Sequence, residues 1–201
     1  MLASVEKRFV LLSNPKTGTT ALEAAFGKFA DIRTGGSPKW KHINYDRMTA
    51  IFGDYFQRQE CKIYGVVRHP VDALVSWYRY RSRPDLKTPR HRWHDKYTGE
   101  IPFAQFVEEW AAGATPRARV PVSVKWCLSR RSKPAPMTFY RYEDLPLLHA
   151  ALCRHVGREV ALEQKNVSPG PRVEVDRAAV AALPRMRKFI EIYDSIPVVG
   201  G

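Results

Sequence analysis

The chain has 201 residues, 44% hydrophobic and 26% charged, the size and balance of one globular domain or at most two small ones. Leu, Ile, Val and Phe are plentiful and no window is dominated by Ser, Gln or Glu, which excludes wholesale disorder. The 33 Lys and Arg against 20 Asp and Glu leave a formal charge of +13, which points to an anionic partner: nucleic acid, a membrane surface, a polyanionic glycan or a phosphorylated cofactor.

The longest apolar runs, such as Phe9-Val10-Leu11-Leu12, fall far short of the ~20 residues that span a bilayer, so no membrane span is expected. The opening MLASVEKRF lacks an apolar stretch behind a basic start, and a cytoplasmic location is expected. Cys61, Cys127 and Cys153 are far apart and in apolar contexts. They read as small buried hydrophobes, not as a disulfide framework or a zinc quartet.

In chain order, the first strand is expected at Arg8–Ser13, followed by a helix with Leu22, Ala25, Phe26 and Phe29 at helical spacing. A second strand over Lys62–Val67 leads through Pro70 into a helix with Val71, Leu74, Val75 and Tyr78 on one face. A helix over Pro102–Ala112 turns Phe103, Phe106, Val107 and Trp110 inward. The third strand, Met137–Tyr142, precedes a helix headed by Asp144, and a terminal helix runs from Asp176 with a kink at Pro184. Short, β-branched or aromatic strands that run straight into helix starts are the pattern of buried parallel strands in βα units. The expected fold is therefore a single α/β domain over residues 1–201, with a P-loop-like parallel sheet of about four or five strands and helices on both faces. The basic connectors Arg79–Lys96 and Arg117–Lys133 read either as solvated loops or as lids over an anionic substrate.

The first βα junction reads Asn14-Pro15-Lys16-Thr17-Gly18-Thr19-Thr20. Such a turn gathers backbone N–H groups, a helix N-terminus, an ammonium and hydroxyls at one spot, which suits a phosphate-like anion. It is not a Walker A loop, because Lys16 precedes Gly18. The second junction delivers Arg68 at a strand end, with His69-Pro70 turning the chain and Ser76 eight residues after Arg68. Ligands of open parallel sheets sit outside the carboxyl ends of strands, so Arg68 and Lys16 are expected to face one crevice. Taken singly, Lys16 reads equally as a surface lysine beside an N-cap, Arg68 as a salt-bridged strand end, and Ser76 as a helix-interior hydroxyl.

Together the two junctions resemble the sulfotransferases that use 3′-phosphoadenosine 5′-phosphosulfate (PAPS). PKTGTT is similar to that family's 5′-phosphosulfate loop, RHPVDALVS to its 3′-phosphate segment, and FYRYEDL to a stretch many members carry on the third strand. The resemblance runs from Phe9 to about Asp194. It implies that Lys16, Thr17, Gly18, Thr19 and Thr20 hold the 5′-phosphosulfate, and that Arg68 and Ser76 hold the 3′-phosphate. Lys16 would also offset charge on the bridging oxygen as the sulfur–oxygen bond breaks. PAPS is then the co-substrate and PAP the product, with no metal required. His91 and His94 stand in a basic loop without a second ligand pair, so no metal site is expected there.

A base must take the proton of the acceptor hydroxyl. His42 is the candidate, because its ordinary pKa suits neutral pH, Lys41 discourages its protonation, and Lys41-His42 resembles a pair in the family's carbohydrate branch. A loop histidine without function is an equal reading. His69 reads as shaping its turn and Glu23 as an exposed first-turn charge. Lys165-Asn166 resembles a late family segment, and adenine-stacking residues are not assigned. The acceptor is expected to be a hydroxyl on a carbohydrate, anionic or not, in preference to a phenol or steroid. The chain is short for the family, which leaves little room for an elaborated acceptor domain. A nucleotide kinase would need Mg²⁺ and a Walker lysine. A basic nucleic-acid-binding module, suggested by +13 and by Tyr78, Tyr80 and Trp93, would leave both phosphate motifs as coincidence, and no nucleic-acid partner is expected.

Overall fold

The structure is a computed structural model that describes residues 1–162 and 173–200. Along the chain it forms β1 (Leu2–Ser4), β2 (Phe9–Leu11), α1 (Thr19–Phe26), β3 (Ile32–Arg33), α2 (Pro38–Lys41), α3 (Tyr45–Arg58) and β4 (Lys62–Val67). These are followed by α4 (Pro70–Arg81), α5 (Pro84–Lys87), α6 (Phe103–Ala112), β5 (Thr138–Arg141), α7 (Leu145–Val156), α8 (Arg177–Ala182) and α9 (Pro184–Ser195). Short 3-10 turns link them, one of which spans Ser123–Cys127. The chain divides into two compact units: the first takes in Met1–Arg68, Ser123–Asn166 and Asp194–Gly201, the second His69–Val122 and Val167–Tyr193.

The first unit holds the sheet, in the order β3-β1-β2-β4-β5. β2, β4 and β5 are parallel neighbours, with Val10 opposite Ile63 and Gly65 opposite Phe139. The period-two alternation of strand side chains divides the core between two faces. Leu2, Phe9, Leu11, Tyr64, Val66 and Tyr140 pack with Leu22 and Phe26 of α1 and Leu148, Ala151 and Leu152 of α7. Ala3, Val10 and Leu12 pack on the other face with Ile43 and with Met48 and Phe56 of α3. Each such large side chain taken out of water stabilises the unit by roughly 1.5–3 kcal/mol.

The α/β class and helices on both faces are as expected, but the sheet is mixed, not parallel: β1 runs antiparallel to both β2 and β3. Those two added strands have three and two residues, too few to show a period in the sequence. α3 was not anticipated either, although Asn44 caps it by accepting from the Arg47 N–H at 3.1 Å and Met48, Phe52 and Phe56 recur at four-residue spacing. Cys127 and Cys153 are buried as expected, while Cys61 is only half-buried.

The second unit is helical. Tyr78 of α4 packs its ring 5.3 Å from Phe103 and 5.5 Å from Phe106 of α6, and Trp110 stands 6.1 Å from Phe189 of α9. The expected kink at Pro184 is a full break: α8, capped by Asp176, ends before Leu183, and Pro184 starts α9. The basic connectors are tied down. The Arg81 guanidinium is buried and donates to the carbonyls of Pro116, Arg117 and Arg119. Burial lowers its pKa to about 10.

Glu109 accepts both arms of Arg117, at 2.8 and 2.5 Å, together with Thr115 and Gln105. Hydrogen bonding to Arg117 above all lowers its pKa from 4.5 to about 2. A depressed carboxylate pKa stabilises the fold fully above the unfolded value and progressively less as pH falls toward the folded one. Glu109→Gln should therefore lower the melting temperature at neutral pH, and the deficit should shrink between about pH 4.5 and about 2. Thermal melts of both proteins across that range test the assignment; a deficit independent of pH would refute it.

Candidate active site

The βα turns at the carboxyl ends of β2, β4 and β5 meet in the first unit. Asn14 is buried and its side-chain amide donates to the Val66 carbonyl at 2.9 Å, fastening the start of the first turn to β4. Lys16 and Gly18 both take positive φ, +63° and +72°, so the turn curls back on itself. Gly18 then stands as the residue before α1, which has no side-chain cap. That leaves first-turn N–H groups of α1 without a side-chain acceptor from the cap residue.

The second turn reaches the first directly. The Arg68 guanidinium donates to the Lys16 carbonyl at 2.9 Å and lies 4.1 Å over the Tyr142 ring, just past β5. The third turn closes on Gly18, where an added Cβ would stand 2.9 Å from Leu145 Cδ1 and 3.0 Å from Tyr142 Cε2. The Arg68 side chain thus meets the Lys16 backbone at the carboxyl ends of neighbouring parallel strands.

Of the expected loop contacts, Thr17 is fully buried and its hydroxyl donates to the Asn14 carbonyl at 2.8 Å, so what it can offer an anion is backbone. Thr19 is buried and Thr20 half-buried at the head of α1. Ser76 lies buried on α4 in the second unit. His69 caps α4 by accepting from the Val71 N–H at 3.3 Å, and its ring packs against Tyr193, which fits its expected turn-shaping role. Lys165 and Asn166 lie outside the described residues.

His42 comes to the same place. Its Nδ1 lies 2.6 Å from the carbonyl of Ser13, the residue before the first turn. A carbonyl only accepts, so Nδ1 carries the proton and Nε2 holds the lone pair of the neutral ring. Desolvation lowers the His42 pKa, with Lys41 and the Met1 amino group adding to it and the Ser13 bond and Glu23 opposing it. The ring is therefore neutral and basic at Nε2 at neutral pH. Glu23 departs from expectation. It is half-buried, accepts the Ser13 hydroxyl and ion-pairs with the Met1 amino group at 3.6 Å, because it stands past the first turn of α1.

Two other clusters of polar side chains lie apart from these turns. His149, Cys153 and Glu159 present three metal-type donors within 4.8 Å, but His149 Nε2 is held by the Val160 carbonyl at 2.6 Å and its ring packs edge-on to Phe26. A cleft of about 680 Å³ is lined by Lys62, Tyr64, Tyr140, Arg154 and His155 near the amino ends of β4 and β5, away from Arg68. Both His155 nitrogens are used there, by Lys7 and Tyr64.

Sequence reasoning passed over Asn14 and Tyr142 as working residues. Asn14 had a visible signal, a polar side chain immediately after an apolar strand, whereas Tyr142 acts only through the packing of a distant segment.

The family model for the sulfotransferase domain matches residues 41–147, just over half of the chain. The chain belongs to the sulfotransferase domain family. No curated protein matches it. Among solved structures it is similar to mouse sulfotransferase SULT7A1 complexed with PAP, at 18% identity and a TM-score of 0.40, over 92% of this chain and 64% of that one. It thus spans a little under two thirds of that protein's length.

Gly18→Ala tests the closure of the site, because the new methyl meets Tyr142 and Leu145 at a φ that L-residues avoid. The variant should lose roughly 1–3 kcal/mol of stability in denaturant unfolding. A change within ±0.5 kcal/mol would show that the turns do not meet there.

Proposed function

We propose that the protein transfers a sulfuryl group from PAPS to an acceptor hydroxyl. The observation that carries this reading, beside the family, is the joining of the anion-binding turn to Arg68 by the bond to the Lys16 carbonyl. In this reading the backbone of Lys16 to Thr20 and the head of α1 receive the 5′-phosphosulfate. The Lys16 ammonium offsets the charge growing on the bridging oxygen as that oxygen parts from sulfur. Nε2 of His42 takes the proton from the attacking hydroxyl as the new oxygen–sulfur bond forms. Arg68 reads the 3′-phosphate; the same role for Ser76 rests on its sequence spacing from Arg68 and on the family resemblance. No step calls for a metal.

A carbohydrate acceptor, anionic or not, fits the surroundings of His42. Trp40 is 40% exposed two residues away, with the Arg47 guanidinium 4.8 Å from its ring. An apolar face edged by a cation suits a sugar ring that carries acidic groups. Among the described residues no helix is long and apolar enough to cross a membrane. A cytoplasmic location belongs to the same proposal, and the free thiols of all three cysteines go with a reducing compartment.

Thermal shift with PAP, ATP·Mg²⁺ and single-stranded DNA tests the ligand class, since only a ligand of the folded state raises the melting temperature. PAP alone should do so; stabilisation by DNA or ATP·Mg²⁺ in its place would overturn the proposal. With an accepted substrate, Lys16→Ala and His42→Ala should each lower kcat by roughly 10²–10⁴-fold while PAP affinity changes far less. Unchanged turnover in either variant removes that residue from the chemical step.

Arg68→Ala should lose most of the preference for PAP over AMP, a loss of ~1.5–3 kcal/mol for one charge-assisted contact. Calorimetry that returned an unchanged PAP/AMP ratio would refute the role of Arg68.

A further inference from the structure

The turn Ser123–Cys127 has no part in the mechanism above, yet two adjacent side chains on it reach two different parts of the site. The Trp126 indole N–H donates to the His42 carbonyl at 2.9 Å. The Cys127 sulfur accepts from the Asn14 amide at 3.3 Å, and the second donor bond of that amide goes to Val66. His42 Nδ1 in turn donates to Ser13, the chain neighbour of Asn14. These contacts close a ring: Trp126 to His42, His42 to Ser13, along the chain to Asn14, Asn14 to Cys127, and back along the chain to Trp126.

We infer that the Ser123–Cys127 turn is a positioning element for catalysis, in which Trp126 sets the placement of His42 and Cys127 sets the placement of the anion-binding turn through Asn14. The inference rests on the sulfotransferase reading for its consequence in rate. Its geometry stands without it.

The two contacts are chemically suited to a fixed role. An indole N–H is only a donor and a backbone carbonyl only an acceptor, so their bond has one sense. Burial pushes the Cys127 thiol up to about 12, which keeps it a neutral weak acceptor beside a neutral amide. Asn14 and Cys127 are 4% and 1% exposed, so neither can replace its partner with water. Trp126 is half-buried, and its ring can be altered at less cost to the core.

The two contacts make separable predictions. Trp126→Phe should lower kcat by roughly 10–100-fold, the scale of a misplaced catalytic group, while KM for PAPS moves less than about twofold. The acidic limb of the rate profile should move to higher pH, because a loosened His42 escapes the burial that lowers its pKa. The charged groups that act on the ring remain in the variant: Lys41 on its own segment, Glu23 on α1 and the Met1 amino group beside β1. Cys127→Ala should do the converse, weakening PAP binding several-fold with the acidic limb unmoved. Benzothienylalanine at position 126, which keeps the ring and replaces N–H with sulfur, gives the same answer if the Phe variant does not fold.

Nitrogen NMR of the His42 ring supplies a readout independent of turnover. The wild type should show the Nδ1–H tautomer, and removing the indole N–H should shift its titration upward. A wild type that neither binds PAP nor transfers sulfate sinks the functional reading, yet the His42 titration still decides the positioning. An unmoved titration with unchanged kcat overturns the inference. So does a fall in kcat that tracks lost thermal stability while the acidic limb stays in place.

Discussion

The bond from the Arg68 guanidinium to the Lys16 carbonyl is the constraint on which the site depends. The turn after β2 puts a lysine and a glycine at positive φ and leaves the following helix without a side-chain cap. Left to itself such a turn would relax, since a non-glycine residue in the left-handed region costs of order 1–3 kcal/mol. Arg68 holds it from the end of the neighbouring strand, and Tyr142 lies beneath the guanidinium. Parallel strands β2, β4 and β5 are what make this possible, because only parallel neighbours deliver their turns to the same end of the sheet.

The fate of the positive charge follows a similar logic. A surplus of +13 invites a picture of a broad basic surface. Part of it has structural partners instead: Arg81 is buried on three carbonyls, Arg117 pairs with Glu109, and Arg185 donates to the Trp110 carbonyl and covers its ring. Guanidinium suits such work, since its planar donors can hold several carbonyls without losing charge. The net charge therefore overstates the number of basic groups free of structural partners.

How much was legible in the sequence depended on element length and on range. β4, α4, α6 and α7 follow from apolar spacing, Pro at helix starts and left-handed Gly after α6 and α7. The turn at residues 16–18 and Arg68 are local signals tied to strand ends, and both follow the strands β2 and β4. β1 and β3 escaped because two or three residues carry no period, and their pairing is decided by neighbours far along the chain. α3 was legible and passed over: its cap at Asn44 and its Met48, Phe52, Phe56 stripe stand in the sequence. Trp126 and Tyr142 could not be found that way, because their roles lie in contacts with residues some 84 and 74 positions distant.

The proposed choice of His42 over Glu23 as base draws on contacts that composition does not contain. Both lie near the loop, and a carboxylate as well as an imidazole can serve as a base. Glu23 is already engaged by the Ser13 hydroxyl and the Met1 amino group. His42 has its Nδ1 proton fixed on Ser13, so Nε2 alone is basic, and burial keeps the ring neutral. Ser13 thus touches both, accepting from His42 through its backbone and donating to Glu23 through its side chain. A proton gained at Nε2 leaves a cation that keeps its Nδ1 bond and lies within the field of Glu23. In the proposed mechanism the carboxylate would then serve as counter-charge to the base, and two groups of ordinary type would hold separate roles.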